Sequence, residues 1–586
     1  MAPNIVGISS YFHDSASCLL RDGTLVAAAE EERFSRAKHD PGIPAGAFRY
    51  CLREAGLTVA DLDCVAYYED PVKKLARQLW MSAQGQPLRT DAARRMDGGR
   101  PRREIRDLLG FDGEVVFVDH HQAHAASSFY YSGFPDAAIL TVDGVGEWAT
   151  TTYGRAEGAR IELFEEVSFP DSLGLLYSAI TAYLGFSVND GEYKVMGLAP
   201  YGTPRYASQV RQLVELKEDG QYRLDMKYFD YLRGNRMYSD ALVELFGQPP
   251  REAESDIHQF HQDVARSLQA VLEEVLLDKV KYLHRKVPSE NLCMAGGVAL
   301  NCVANGVILR EGPFKRLFVQ PAAGDSGGAL GAAALAHVKL TGRRPGHRLE
   351  HVYLGPAFRN DEVRELVEAA PLKAHDFTGR EADLLAATAQ RLAEGKVIGW
   401  FHGRMEFGPR ALGGRSILAD PRDSGMRDRI NALVKMREAF RPFAPAVLEE
   451  DAAAHFDLDH SSPFMLETCD VISPLDLPAI THVDRSARVQ TVSAKQSPRY
   501  HALIAAFKRL TGCPILLNTS FNMRDEPIVC TPQEALICFV RSQIDCLVLE
   551  DFLIDRADVP DSWPALFRQR FTGKPSVVAH DVYTFL

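Results

Sequence analysis

The sequence predicts an α/β protein in which a duplicated first domain precedes a second, separate α/β domain. Three observations carry this reading. A strand–loop–strand pattern near the N-terminus recurs after residue 136, apolar runs end repeatedly in glycine-rich turns, and a basic connector with Gly and Pro leads into a fresh helix-then-strand pattern. The 586 residues exceed what one hydrophobic core supports. A composition of 46% hydrophobic and 25% charged residues is that of a globular enzyme, not of a disordered or fibrous chain.

Taken in order, Ile5 to Ser9 reads as a strand, Tyr11 to Asp14 as a turn, and the chain from Ala16 as a second strand. Arg21-Asp22-Gly23 then makes a tight hairpin into Thr24 to Ala29, because Asp-Gly suits positive-φ turn geometry. The unit recurs as the apolar run Ala137 to Val142, the loop Asp143-Gly144-Val145-Gly146 and the run Thr150 to Tyr153. Two such units heading two half-domains imply paired loops able to embrace a nucleotide's phosphates. Apolar residues recur at helical spacing over Ser172 to Gly185 and Phe260 to Tyr282. Asn291 to Met294 reads as a buried strand entering Ala295-Gly296-Gly297, and Leu317 to Val319 as another that ends at Asp325. The polar stretch TGRRPGHRLEH sets the boundary, giving a first domain over 1–345, a connector over 346–375 and a second domain over 376–586. In the second, a helix over Arg380 to Glu394 leads into the strand Val397 to Phe401.

A net charge of -12 argues against a nucleic-acid binder, which needs a basic face. The ten cysteines are scattered without a C-x-x-C pair and read as reduced core residues. No run reaches the ~18 apolar residues of a spanning helix and the N-terminus lacks a leader pattern, so the expected location is the cytoplasm, away from membranes.

In VDHHQAHAASSF, at 118–129, His120 and His124 stand four apart, which places two imidazoles on one helix face. Asp143 and Asp325 each follow an apolar strand at a glycine-rich turn and can project toward that pair. Two His and two Asp suit a divalent transition metal such as Fe, Mn or Zn. The competing reading is that His120 or His121 is a satisfied helix-start histidine and that the aspartates cap turns. The loops around Gly144, Gly146, Gly296, Gly297 and Gly324 allow backbone N–H groups to approach phosphate, with Ser326 opening a helix and Asn301 closing AGGVALN.

The second domain concentrates arginine. GRMEFGPRALGGRSILADPR, at 403–422, carries Arg404, Arg410, Arg415 and Arg422, and KMREAFRPFAP follows at 435–445. Guanidinium groups among apolar neighbours need buried anions, and phosphate is the anion that arginine grips best. Internal pairing with Glu406, Asp420 and Asp423 competes for some of them. ILLNTSFN, at 515–522, runs an apolar strand into small polar donors suited to a carbonyl or phosphate.

HDSAS, AAAEEERFSR, HHQAHAASSF, VDGVGEW, LGLLYSA, GEYKVMGLAPYG and AGGVALNC together resemble the O-carbamoyltransferase family of nodulation-factor, cephamycin and aminoglycoside pathways. That resemblance implies a TsaD-like first domain of the actin, sugar-kinase and heat-shock-ATPase type. Lys435-Met436-Arg437 and Ser520-Phe521-Asn522 resemble the K-x-R and S-x-N signature of YrdC-like domains, and Ala487-Arg488-Val489-Gln490, PRYHALI and EPIVCTP extend the match. MRDEP, at 523–527, departs from the family's small residue before the Glu.

By this resemblance His120, His124, Asp143 and Asp325 hold a metal, expected to be Fe(II). His13 and Lys38 take catalytic roles, with His13 a candidate base near neutral pH. Gly144, Gly146, Lys194, Gly296, Gly297, Asn301, Gly324 and Ser326 serve the nucleotide, with Mg for ATP. Arg415, Lys435, Arg437, Arg441, Arg488, Ser520 and Asn522 position carbamoyl phosphate and ATP to make carbamoyl-AMP. The carbamoyl group then passes to a hydroxyl of a small molecule, a secondary metabolite or sugar as in antibiotic biosynthesis, and the acceptor itself is not marked. A homodimer stays open. The alternative, a fused enzyme of tRNA threonylcarbamoyl type, needs a basic surface that the net charge opposes, and hydrogenase-maturation relatives carry cysteine pairs that this sequence lacks.

Overall fold

The computed structural model describes residues 2–83, 96–233, 235–346, 348–370, 372–435 and 440–563. The fold is α/β throughout. The chain divides into two compact units, the first built on Met1–Glu31 and His39–Leu349 and the second on Glu32–Lys38 and Glu350–Pro575.

The first unit holds two five-stranded sheets of one plan. Strands β1 (Asn4–Ser9), β2 (Ala16–Arg21) and β3 (Thr24–Glu30) form an antiparallel meander, and β4 (Cys64–Tyr67) and β5 (Val115–Phe117) join β1 in parallel, in the order β3-β2-β1-β4-β5. The second sheet repeats this with β6 (Asp136–Val142), β7 (Ala149–Glu157), β8 (Arg160–Ser168), β9 (Asn291–Ala295) and β10 (Arg316–Val319), in the order β8-β7-β6-β9-β10. The duplication that sequence shows only faintly is therefore plain in topology. Local chemistry sets the hairpins: Asp22 and Gly23 both take positive φ, 47° and 76°, as the two-residue turn between β2 and β3 requires.

Helix α1 (His120–Ser132) follows β5, and its counterpart after β10 is a helix over Asp325–Thr341. Between them lie α2 (Leu173–Tyr183), whose N-cap Ser172 accepts from the Leu175 N–H at 3.1 Å, α3 (Gln259–Lys286) and α4 (Cys302–Glu311). The helix Asp325–Thr341 is α5. It reads DSGGALGAAALA for a steric reason: a Cβ on Gly331 would stand 1.7 Å from the Ala123 carbonyl oxygen of α1, and one on Gly7 of β1 would stand 2.0 Å from the Ala329 carbonyl oxygen.

The second unit is an eight-stranded mixed sheet: β11 (His375–Asp376), β12 (Ile398–Phe401), β13 (Arg415–Ala419), β14 (Ala444–Leu448), β15 (Gln490–Val492), β16 (Ile515–Ser520), β17 (Cys546–Leu549) and β18 (Phe552–Asp555), ordered β11-β18-β17-β12-β13-β16-β14-β15. Its core gathers Trp400, Ile417, Leu418, Leu516, Leu517 and Val548 with Phe507 and Phe539 from the helices Pro498–Thr511 and Pro532–Arg541. The stretch 346–375 contains a helix, Asn360–Ala369, whose Val363 and Val367 enter that core. Among the described residues no helix is long and apolar enough to cross a membrane.

The contact between α1 and α5 makes a stability prediction. Gly331→Val forces two helix backbones apart and is expected to cost about 3 kcal/mol or more, whereas Gly346→Ala, where a Cβ meets nothing within 4 Å, is expected to cost under about 1 kcal/mol. Calorimetric unfolding of both variants checks it; equal transition temperatures would show that the helices have room to part.

Candidate metal and phosphate sites

Four ligand atoms converge where α1, α5 and the end of β6 meet. His120 Nε2 and His124 Nε2 lie 3.0 Å apart, and Asp143 Oδ2 lies 3.0 Å from the first and 3.2 Å from the second. Asp325 Oδ1 completes the group at 3.7 and 3.9 Å from the two nitrogens, so that all four atoms fall within 4.8 Å of one another. All four side chains are buried. Donors held about 2.1 Å from a common ion stand about 3.0 Å apart at right angles and about 3.4 Å apart at tetrahedral angles, and the observed spacings bracket these values. The Nδ1 atoms of His120 and His124 have no hydrogen-bond partner, so among the described residues the only polar contacts orienting these rings point at the shared centre.

The electrostatics fit a cation. Burial pulls His120 down, but the Asp143 hydrogen bond and the charges of Asp325 and Asp143 outweigh it and push the imidazole up to about 9. Burial also raises Asp143, yet hydrogen bonds from both histidines hold it well below the usual carboxylate range. Asp325 is raised, chiefly by burial. Two carboxylates and two imidazole nitrogens so close in an apolar interior call for a positive charge at their centre.

His121 separates cleanly from this set. Its Nδ1 accepts from the Thr141 hydroxyl at 2.6 Å, its Nε2 donates to the Ala149 carbonyl at 2.8 Å, and burial beside His120 and His124 pushes it down to about 3. It is a neutral packing histidine.

Several supporting residues carry no signal in isolation. Glu147 accepts from the His120 N–H at 2.9 Å and the Asp70 N–H at 2.7 Å, anchoring the first residue of α1. The Gly297 N–H donates to Asp143 Oδ1 at 2.9 Å. The Tyr68 hydroxyl lies 3.3 Å from both Asp325 Oδ2 and the Ser10 carbonyl, linking the cluster to the loop after β1. Glu147 lies inside DGVGEW, where a second acid four residues after Asp143, beyond two glycines, is the clue the sequence offers.

The duplication explains the arrangement. His120 and Asp325 begin the helices that follow the last strands of the two sheets, and Asp143 opens the loop after β6. The equivalent loop after β1 carries His13, partly buried, with Nδ1 2.8 Å from Asp14 Oδ2. Gly144 and Gly146 lie in the β6–β7 loop, Gly296 and Gly297 follow β9, and Gly324 and Ser326 flank the start of α5, so six predicted phosphate residues surround the carboxyl ends of parallel strands. Gly296 needs its positive φ of 96°, and a Cβ there would strike the Val142 carbonyl oxygen at 2.3 Å. Asn301 instead caps α4 through the Ala304 N–H and pairs its amide reciprocally with Gln269 at 2.9 and 3.1 Å. Lys194 lies in the helix Glu192–Leu198 with Nζ 5.9 Å from the Phe186 ring, and Lys38 ends the segment that packs with the second unit.

In the second unit, strand register brings the predicted residues to one edge of the sheet. Phe401 pairs with Arg415, Ser416 with Ser520 and Ala444 with Asn518, so the start of β13, the end of β16 and Arg441 just ahead of β14 share that edge. Arg488 joins them two residues before Gln490, which pairs with Ala446. Ser520 donates to Asn522 Oδ1 at 2.7 Å, and Asn522 Nδ2 donates to the Glu526 carbonyl at 2.7 Å. Lys435 ends a π-helical turn, Asn431–Lys435, and Arg437 lies outside the described residues. Arg415 is fully buried over the Phe401 ring, and its guanidinium donates to the carbonyls of His402, Gly403, Gly414 and Pro356. Glu406 Oε1 accepts from the N–H groups of Leu412 and Gly414, so this buried pair shapes the arginine loop from within. Arg422 pairs with Asp420 at 2.6 Å.

The model for the N-terminus of carbamoyltransferases matches residues 4–89 and 104–334, and the model for their C-terminus matches 389–556. The chain belongs to the carbamoyltransferase family. This carbamoyltransferase is 45% identical to the protein sll1178 of Synechocystis over 95% of its own length and 97% of that chain. It is 41% identical to nodulation protein NolNO of Sinorhizobium fredii over 95% of its length and 81% of that protein. Similarity to the 3'-hydroxymethylcephem-O-carbamoyltransferase of Streptomyces clavuligerus is 34%, over 57% of this chain and 59% of that one. The carbamoyltransferase is thus a transferase enzyme, with family matches reaching both units.

Removing a ligand and removing a support are expected to differ in degree. His124→Ala or Asp325→Ala should abolish stoichiometric divalent metal in the purified protein, and Glu147→Ala should weaken binding about 10- to 100-fold while keeping the site. Elemental analysis and metal titration read both, and full metal content in the first two variants would refute the cluster as a metal site.

Proposed function

We propose that this carbamoyltransferase makes carbamoyl-AMP from carbamoyl phosphate and ATP in the second unit, and delivers the carbamoyl group to a small-molecule hydroxyl in the first. The observation that carries the reading is the buried convergence of His120, His124, Asp143 and Asp325 beside glycine loops at strand ends. It agrees with a relative named for carbamoylating the oxygen of a hydroxymethyl cephem. On this reading the first unit is TsaD-like, of the actin and sugar-kinase type, and the second YrdC-like. The acceptor is a metabolite, not a nucleic acid.

The chemistry needs activation because nitrogen donation makes a carbamoyl carbonyl a poor electrophile. Water cleaves carbamoyl phosphate to carbamate and phosphate, and the carbamate oxygen attacks the α-phosphorus of ATP, expelling pyrophosphate and forming carbamoyl-AMP. At the edge of the eight-stranded sheet Arg441 and Arg488 balance phosphate charge and Ser520 and Asn522 hold the carbamoyl end, and Lys435 and Arg437 add positive charge by family resemblance. Arg415 acts by shaping the loop around its carbonyls. In the first unit the acceptor oxygen attacks the carbamoyl carbon, its proton passes to His13, and AMP leaves. His120, His124, Asp143 and Asp325 would hold a divalent metal, Fe(II) by family resemblance, which when bound supplies a Lewis acid for an oxygen of the adenylate. Backbone N–H groups of the glycine loops, with Lys194, receive the phosphate of the adenylate, and Mg accompanies ATP in the second unit, where Lys38 keeps its expected catalytic role.

Pyrophosphate release tests this without knowledge of the acceptor. Wild type should release it only when carbamoyl phosphate and ATP are both present. Arg441→Ala and Lys435→Ala should lower the rate about 100-fold with metal content unchanged, and His13→Asn should leave it near the wild-type rate. Release without carbamoyl phosphate, or full release by Arg441→Ala, would refute the assignment.

A further inference from the structure

Behind His13 runs a chain of hydrogen bonds that its proposed role as base leaves unexplained. Asp14 takes both of its neighbours: Oδ2 faces His13 Nδ1 at 2.8 Å, and Oδ1 faces His39 Nδ1 at 2.7 Å. His39 Nε2 in turn faces Asp190 Oδ1 at 3.2 Å. An ionised carboxylate only accepts, so the nitrogens facing it must carry the protons. Burial raises the Asp14 carboxyl, but the charges and hydrogen bonds of His39 and His13 outweigh this and hold it well below the usual carboxylate range. His13 therefore presents a protonated Nδ1 to Asp14. Its Nε2, for which no protein partner exists among the described residues, keeps the bare lone pair that proton abstraction requires.

The backbone has been bent to make this chain. Asp14, His39 and Asn189, the residue before Asp190, all adopt positive φ, at 53°, 55° and 67°, and Tyr11 does so at 72°. Such conformations are disfavoured for non-glycine residues and persist where the surroundings enforce them. Here the surroundings do: the Tyr11 N–H donates to the Pro41 carbonyl at 2.7 Å, the Ser15 N–H to the Asp40 carbonyl at 3.0 Å, and the Asn189 N–H to Glu192 at 3.1 Å. Three loops distant in sequence are each strained at the point that delivers a member of the chain.

We propose that His39 and Asp190 are positioning residues that act through Asp14 to fix the ring orientation and tautomer of His13. Asp190 holds His39, His39 aligns the Asp14 carboxylate, and Asp14 fixes the proton on Nδ1 so that Nε2 meets the acceptor hydroxyl. The proposal rests on the reading of His13 as the base, and the test separates the two.

The full-length protein is labelled with [15N]histidine, and the His13 signals are identified as those lost in His13→Asn. Wild type should show a protonated Nδ1 and a bare Nε2, whereas the isosteric Asp190→Asn and the more severe His39→Leu should each show His13 averaging between tautomers. Unchanged His13 signals in both variants overturn the proposal. A second arm supplies carbamoyl-AMP with hydroxylamine, which attacks the carbonyl without a base and gives hydroxyurea and AMP. Both variants should form hydroxyurea within about twofold of the wild-type rate but lose about 10-fold or more in transfer to a trial hydroxyl such as glycerol or a hydroxymethyl cephem. Loss of hydroxyurea formation to the same extent would mean that the chain only maintains the carbamoyl site, and overturns the positioning role. Hydroxyl transfer undiminished in His13→Asn would remove the base reading alone, leaving the tautomer result standing.

Discussion

The near-contact between α1 and α5 is the constraint on which the first unit turns. A Cβ at Gly331 would stand 1.7 Å from the Ala123 carbonyl oxygen, so the two helix backbones meet where a side chain would otherwise hold them apart, and the candidate ligands at their N-terminal ends are drawn together. Helix α5 serves three surfaces with small residues: Gly331 faces α1, Gly328 faces the Tyr68 ring, and the Ala329 carbonyl faces Gly7 of β1. Each helical glycine costs about 1 kcal/mol in intrinsic propensity. That cost is offset by geometry that no alanine could provide. Tyr68, wedged against Gly328, also reaches Asp325, so the residue that packs the helix helps to orient its ligand.

Burying four ligands leaves a charge problem that the protein solves only in part. Asp143 is well supplied, with two imidazoles on one oxygen and the Gly297 N–H on the other. Asp325 has the Tyr68 hydroxyl and more distant histidines, and burial leaves its carboxyl raised. This asymmetry leaves one side of the cluster well compensated and the other with a raised carboxyl that a bound cation would stabilise. His121, between the two ligand histidines in sequence, is kept neutral by its own partners and adds no charge.

What was legible in sequence follows the range of the interactions involved. The Asp22-Gly23 turn, the helices over Leu173–Tyr183, Gln259–Lys286 and Glu381–Ala393, and the His120–His124 spacing are written in neighbours within a few residues, and they read directly. The choice between His120 and His121 was open because it depends on Thr141 and Ala149, which lie across a sheet. Asp325 was expected in the glycine-rich turn after a strand, just ahead of a helix opened by Ser326, and it is itself the first residue of that helix. Asn301 and Arg415 looked like ligand-binding groups by type, and the structure shows both engaged internally, one by Gln269 and the other by four carbonyls. Residue type announces the capacity to bind; only the fold decides what is bound.

The second unit shows how that capacity is divided. Arg415 and Glu406 are both buried and both spend their charge on main-chain atoms of the segment 402–415, one on carbonyls and the other on N–H groups. Removing either would strand buried polar groups, so the loop has one stable course. Arg422, locked to Asp420, and Arg404, donating to the Leu354 carbonyl, are likewise structural. A cluster of arginines in sequence therefore does not add up to one large anion site. Most of its members build a rigid rim, and strand register brings a different and smaller set to the sheet edge, Arg441, Arg488 and the Ser520–Asn522 turn. Donors fixed in this way before any ligand binds need no reorganisation when charge moves.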